Sequence, residues 1–346
     1  VAPNEPAARK DATAAPLRVL SGHRPTGPLH LGHLVGALGN WVALQEGNDC
    51  FFAIVDWHAL TTHYADTRDL QAHIREVAID WLAAGLDPAR ATLFVQSQVP
   101  EHAELHLLLS MLVPLPWLER VPTYKELQQQ LRDRDLATYG FLGYPVLQAA
   151  DILLYNTDLV PVGEDQLSHI ELTREIARRF NHLYGDVFKE PQARTTRSPR
   201  LPGTDGRKMS KSYGNAIALS DPPSEVRQKV LTMVTDPARR RRHDPGNPEV
   251  CPVFDFHRVF SRPAEIEQVD RDCRTAAIGC VDCKGILLRN LEPVLAPHAE
   301  RRARVAADPR QVDAALADGA RRARLVAGKT LARVRDAMGL VARSGT

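Results

Sequence analysis

Short apolar runs alternate with segments of helical period along the first half of this chain, and few folds accommodate that alternation. LRVLSG (17–22) reads as a buried strand, followed by a Gly/Pro turn and a helical pattern that begins near Leu31. CFFAIVD (50–56) is a second buried strand and TLFVQ (92–96) a third. Between them, residues 67–85 place Leu70, Ile74, Val77, Ala78, Trp81 and Leu82 on one helical face, and Gly85 ends the pattern. Strands buried on both sides and separated by helices predict a doubly wound α/β core with a parallel sheet.

Residues 101–155 then read almost wholly helical, inserted between strands, and VPVG (160–163) returns to the sheet before a long helix over 164–181. From 189 to 221 the chain is rich in Pro, Gly, Arg and Ser without a period, as in a mobile functional loop. Beyond Pro222 it reads as helix again. The expected division is an arm at 1–16, an α/β domain at 17–195 with helices inserted at about 100–145, a mobile loop at 196–221 and a helical domain at 222–346. With 346 residues, 44% of them hydrophobic and 25% charged, the chain can bury such a core, and disorder is excluded for most of it.

A net charge of +2 provides no global positive field, so a nucleic-acid partner would need local basic patches. The longest apolar segment, LHLLLSMLVPLPWL, is broken by Pro114 and Pro116 and falls short of the roughly 20 residues a membrane span requires. No membrane span is expected. VAPNEPAARKDATAAPL lacks an apolar signal core and reads as a disordered arm, which points to a cytoplasmic protein whose cysteines are thiols or metal ligands. Neither GxxxxGK[ST] nor GxGxxG is present.

Two clusters are suited to phosphate chemistry. In the first, the leading strand runs into Pro25-Thr26-Gly27-Pro28-Leu29-His30-Leu31-Gly32-His33, where glycines permit close backbone approach and a helix start offers N–H groups beside two histidines. The plain alternative is a glycine turn with exposed histidines. In the second, Lys208 and Lys211 flank Met209-Ser210 in the aperiodic loop, with Ser212 following, and could close over a polyphosphate to stabilise charge on departing pyrophosphate. Either cluster alone could be solvated surface, but their co-occurrence on an α/β chain argues against that.

His30-Leu31-Gly32-His33 and Lys208-Met209-Ser210-Lys211-Ser212 resemble the two signatures of class I aminoacyl-tRNA synthetases. YPVLQAADILLYNTDLVPVGEDQLSHIELTREIARRFN (144–181) closely resembles the tryptophanyl-tRNA synthetase family. The resemblance implies a Rossmann-like catalytic domain, ATP and Mg²⁺, and transfer of tryptophan to the 2′-hydroxyl of tRNA(Trp). It places Arg24, Pro25, Thr26, Gly32, His33, Gly163, Glu164, Asp165, Leu201 and 208–212 around ATP, with His30, His33, Lys208 and Lys211 as the catalytic groups. No general base is required, because an α-carboxylate is already ionised at neutral pH.

The amino-acid pocket has a signal of its own. Asp151 lies amid PVLQAADILLY, in what should be a buried helix, and Tyr144, Gln148, Asp151 and Tyr155 share one face of it. A helix cap or structural ion pair is the plain alternative. An ionised Asp is acceptor-only and suits the donor-only indole N–H. By resemblance Asp151 contacts the indole, Tyr144 and Gln166 lie near the ammonium group, and Gln148 and His58 line the pocket, although His58 reads equally well as a satisfied histidine at a strand end. His169 reads as structural. Gln148 and Thr123 depart from what many bacterial relatives carry, so pocket details are expected to differ.

Four of the five cysteines, Cys251, Cys273, Cys280 and Cys283, fall in the helical domain, whereas Cys50 reads as core. Four thiolates with a CxxC pair can hold Zn²⁺ or a 4Fe–4S cluster, or remain empty thiols, and spacing alone does not choose. IGCVDCK (278–284) resembles the segment of those bacterial members that carry 4Fe–4S. Arg239–Arg242 with His243 form the plainest tRNA-backbone patch, with a solvated helix end as the alternative. The resemblance further implies a homodimer through the inserted helices and anticodon contacts in 222–346. The rivals are a tyrosine enzyme, another nucleotidyltransferase and a catalytically silent RNA-binding paralogue.

Overall fold

The computed structural model describes residues 15–122, 137–195, 201–210 and 213–340. Among them, β1 (Arg18–His23), β2 (Asp49–Ile54), β3 (Ala91–Val95), β4 (Leu159–Val162) and β5 (Gln192–Thr195) form one sheet in the order β3-β2-β1-β4-β5. Every pair is parallel, and β1 runs beside β2 from Arg18↔Asp49 to His23↔Ile54. The expected doubly wound sheet is therefore present.

The first helix begins at Leu31–His33, passes through a π turn at Leu34–Leu38 and ends as Gly39–Leu44; together these are α1. There follow α2 (Asp56–His63), α3 (Leu70–Ala84), α4 (Glu101–Ser110), α5 (Leu115–Glu119), α6 (Tyr139–Leu154) and α7 (Leu167–Tyr184). The helical remainder comprises α8 (Pro223–Thr232), α9 (Pro252–Phe260), α10 (Pro263–Arg274), α11 (Cys280–Ala306) and α12 (Pro309–Ala337). Gly85 caps α3 at φ +108°, a left-handed conformation that a side chain would disfavour.

Alternation along the strands divides the core. Val19, Cys50, Phe52, Ile54, Leu93 and Val95 meet Trp41 of α1 and Val77 and Trp81 of α3 on one face. Leu20, Phe51, Ala53 and Phe94 meet Leu105 of α4, Val146 of α6 and Phe180 of α7 on the other. Burial on both faces is why the strands read as continuous apolar runs. A third core joins Leu31, Leu201, Met209 and Ile217 to Val230, Phe254, Phe256, Leu287 and Leu291, anchoring the described part of the 196–221 segment to the helical region.

Two features differ from the sequence pattern. Gln192–Thr195, within a stretch read as aperiodic loop, is the edge strand β5; all four residues are exposed, so no apolar alternation marks them. The last helix lies against the parallel sheet: a Cβ on Gly319 would fall 1.7 Å from the Leu93 carbonyl oxygen, and Arg322 donates to the carbonyls of Pro88 and Ala91. Glycine is required for that approach, which also covers the β3 edge.

Candidate active site at the sheet's switch point

The chain leaves β1 toward β2 on one side and returns to β4 on the other, so the strand order reverses between β1 and β4. In open α/β sheets ligands bind at such a point. After β1, Arg24 is exposed, Pro25 is buried and Thr26 donates its N–H to the Arg24 carbonyl at 2.9 Å. Gly27 turns the chain at φ +129°, and His30 begins α1.

The two signature histidines touch, with ring centroids 3.7 Å apart, and the backbone N–H of His30 donates to Nδ1 of His33 at 3.1 Å. Nδ1 thus being an acceptor, a neutral His33 ring carries its proton on Nε2. His23 packs edge-on against His33 at 4.7 Å. The donor role expected of the pair therefore belongs, for His33, to a single ring nitrogen.

The segment bearing the second signature is tied directly to the first. His30 bridges Ala218, the Leu31 N–H donates to the Ile217 carbonyl at 2.9 Å, and the Leu219 N–H donates to that of Leu29 at 2.8 Å. A Cβ on Gly32 would sit 3.2 Å from the His30 ring and 3.9 Å from Met209 Sδ, so glycine lets the signatures close on each other. Lys208 is exposed and bridges Pro202. Asn215 is buried; its side chain donates to Asp205 and to the Lys208 carbonyl and accepts from the Ser210 N–H at 2.8 Å. Sequence reasoning missed Asn215, because a buried polar loop residue carries no periodic signal. Lys211 and Ser212, like Thr123, lie outside the described residues.

Asp151 is 4% exposed, and its carboxylate gathers three elements. Oδ2 lies 2.8 Å from His58 Nε2 of α2, while Oδ1 accepts from Gln96 Nε2 beyond β3 and from His102 Nδ1 of α4, each at 2.7 Å. Burial alone would raise its pKa, but hydrogen bonds and charge from His102 and His58 outweigh burial and hold it below the usual carboxylate range. The structural alternative is thus partly realised, since Asp151 is internally paired, and His58 belongs to that network. Gln96 and His102 were missed; the available signal was a histidine on the buried face of α4, three residues before Leu105.

At the end of β4, Gly163, Glu164 and Asp165 are exposed, and a Cβ on Gly163 would meet Asp165 Oδ1 at 2.6 Å. Gln166 follows at the start of α7, its Nε2 3.3 Å from Asp165. Tyr144 and Gln148 are half-buried on the Asp151 helix, and the Tyr144 hydroxyl lies 3.3 Å from His169 Nε2. Burial, then the His58 charge, lowers the His169 pKa to about 4, so the imidazole is neutral behind Tyr144.

The four clustered cysteines come together at the starts of α9 and α11 and the end of α10. Burial first, then the neighbouring Cys251, Cys273 and Cys280, pushes the Cys283 thiol up to about 12. Cys283 Sγ lies 3.4 Å from His257 Nε2, and Arg239 lies 3.8 Å from Cys273 Sγ. Among the described residues no group of three or more His, Cys, Asp or Glu side chains is set to hold a metal ion as it stands. Arg239 turns inward to the carbonyls of Arg242 and Ile278, whereas Arg240–His243 are exposed. Cys50 is core, as expected.

Residues 12–296 match the family described as class I tRNA synthetases (W and Y), and the chain belongs to that family. Tryptophan–tRNA ligases are among its relatives of high identity. The tryptophan–tRNA ligase of Thermotoga maritima is 58% identical over 327 residues, covering 94% of this chain and 100% of that one. That of Treponema pallidum is 48% identical over 331 residues, covering 94% and 98%. The crystal structure of tryptophanyl-tRNA synthetase from Campylobacter jejuni, complexed with ADP and tryptophan, superimposes with a TM-score of 0.83 at 32% identity, covering 93% of this chain and 100% of that chain.

Proposed function

We propose that this chain activates L-tryptophan with ATP and transfers it to the 2′-hydroxyl of tRNA(Trp), with Asp151 as the acceptor for the indole N–H. The observation that carries the indole assignment is the state of that carboxylate: buried, ionised, and with one lone pair on Oδ2 beyond its three protein donors. A site of this kind rejects phenylalanine, which leaves the buried acceptor unpaired. Tyr144 and Gln166 receive the ammonium group, and Gln148 and His58 line the pocket.

In the first step the tryptophan carboxylate attacks the α-phosphorus of ATP and expels pyrophosphate. Arg24, Pro25, Thr26, Gly32, Gly163, Glu164, Asp165 and Leu201 form the nucleotide crevice. His30, His33, Lys208 and Lys211 offset the charge that develops on the phosphates, with Met209, Ser210 and Ser212 in the closing segment. Mg²⁺, when bound to the phosphates, adds further neutralisation. Catalysis rests on positioning and charge, with no protein nucleophile.

The second step needs a basic surface that reads mainly backbone; exposed Arg240–His243 supply it, and 222–346 carries the anticodon contacts. A homodimer through the middle helices is supported by exposed Tyr64, Leu107, Met111, Leu115 and Tyr139 on or beside α2, α4, α5 and α6. Cys251, Cys273, Cys280 and Cys283 are the candidate ligands of a structural group, 4Fe–4S or Zn²⁺, with empty thiols as the alternative. Four thiolate donors suit both groups. Iron, sulfide and zinc analysis of the purified protein decides between them. No helix among the described residues is long and apolar enough to cross a membrane, and a cytoplasmic location is part of this reading.

The test is amino-acid-dependent ATP–pyrophosphate exchange with tryptophan, tyrosine and phenylalanine in parallel. Exchange with tryptophan alone is expected. Exchange with tyrosine would make Asp151 a phenol partner, and no exchange would favour a silent RNA-binding paralogue.

A further inference from the structure

Asp151 does not meet its ligand as a free carboxylate. Oδ1 is fully engaged: Gln96 Nε2 and His102 Nδ1 occupy both its lone pairs at 2.7 Å each. Oδ2 has one protein partner, His58 Nε2 at 2.8 Å. His102 is fully buried, and its other ring nitrogen, Nε2, lies 2.8 Å from the Tyr155 hydroxyl. Tyr155 is itself fully buried, packed on Phe51 with centroids 4.7 Å apart.

We infer that His102, held by Tyr155, is a positioning residue for tryptophan selectivity: it locks Oδ1 of Asp151 so that only Oδ2 faces the indole N–H. The direction of the bond to Asp151 follows from donor chemistry. A carboxylate only accepts, so Nδ1 of His102 must donate to it. A neutral ring then accepts the Tyr155 O–H at Nε2, and a doubly protonated ring donates Nε2–H to the Tyr155 oxygen; in either form the 2.8 Å bond fixes the ring. Burial, followed by the charges of Asp151 and Glu101, raises the Tyr155 pKa well above its ordinary value, which keeps its proton in place. The contacts run from Tyr155 to His102 to Asp151: Asp151 and Tyr155 stand four residues apart on and at the end of α6, and His102 of α4 is wedged between them.

This inference rests on the indole reading of Asp151, and the experiment separates the two. ATP–pyrophosphate exchange on the full chain is measured with L-tryptophan and with its benzothienyl isostere, in which sulfur replaces the indole N–H. The wild type is expected to favour tryptophan in kcat/KM by about 100-fold or more. His102→Leu is expected to shrink that ratio by at least about 10-fold, through KM for tryptophan and not through kcat. His102→Asn, whose amide nitrogen can stand near the Nδ1 position, is expected to restore most of the ratio. Tyr155→Phe removes only the hydroxyl and is expected to give a smaller loss in the same direction.

If His102→Leu lowered kcat for both amino acids equally and left the ratio intact, the role would be structural and the inference overturned. The same holds if Asn rescued no better than Leu, or if Tyr155→Phe, which should fold even where the Leu variant does not, left the ratio unchanged. Asp151→Asn is the control for the underlying reading. Should it keep the wild-type ratio, the indole assignment itself fails, whatever His102 does.

Discussion

His30 pairs with Ala218 in an antiparallel bridge, so the first signature is physically part of the segment that carries the second. The neighbouring bonds Leu31 to Ile217 and Leu219 to Leu29 make a short ladder, with Gly32 facing both the His30 ring and Met209. The segment that carries Lys208 is therefore anchored at the histidines.

Gly32→Ala should disturb that contact without unfolding the protein. Its Cβ would press on the His30 ring at 3.2 Å, which must yield by a few tenths of an ångström. Steady-state exchange kinetics should show kcat/KM for ATP reduced by about 10-fold or more, with a thermal midpoint close to the parent.

Asn215→Ala removes the side chain that spans Asp205, the Lys208 carbonyl and the Ser210 N–H, and leaves the last of these without its acceptor. A lost buried partner costs about 1–3 kcal/mol. The expected result is a fall in kcat exceeding the change in tryptophan KM, because the affected segment handles phosphates. Equal effects on both parameters would count against this assignment.

Asp80 provides a pH test. It is fully buried on α3, and burial, partly offset by Arg302, raises its pKa to about 6. A carboxylate whose folded pKa exceeds its unfolded value near 4 favours the folded state when protonated, and that stabilisation is lost as pH rises from about 4 to 6. Denaturant titrations of Asp80→Asn should show a flatter stability curve than wild type across that window, by up to about 3 kcal/mol. Parallel curves would show that Arg302, 2.8 Å away, already keeps Asp80 ionised.

Gly319→Ala tests the docking of α12. A Cβ there would overlap the Leu93 carbonyl, so the helix must move off the sheet edge and loosen Arg322 from Pro88 and Ala91. Overpacking of this kind costs about 1–3 kcal/mol. Calorimetry should show a lowered midpoint, while KM for tryptophan is retained at a temperature where the variant is folded.

Local chemistry made much of this molecule legible. The runs at β1, β2, β3 and β4 are continuous in apolar character because both faces of each strand are covered, and that alone implied a parallel, helix-clad sheet. The HxGH and KMSKS segments were visible because glycine turns and clustered cations are compositional events. β5 was not visible, since an exposed edge strand of Gln, Ala, Arg and Thr buries nothing that would imprint a period. Only the tertiary structure decided that Asp151 faces two histidines and a glutamine, that Asn215 organises the Lys208 loop, and that α12 closes the β3 edge. The first and last depend on residues distant along the chain, and the Asn215 contacts, though only 5 to 10 residues apart, depend on an aperiodic turn; hydrogen-bond partners chosen at distances near 3 Å leave no trace in local sequence spacing.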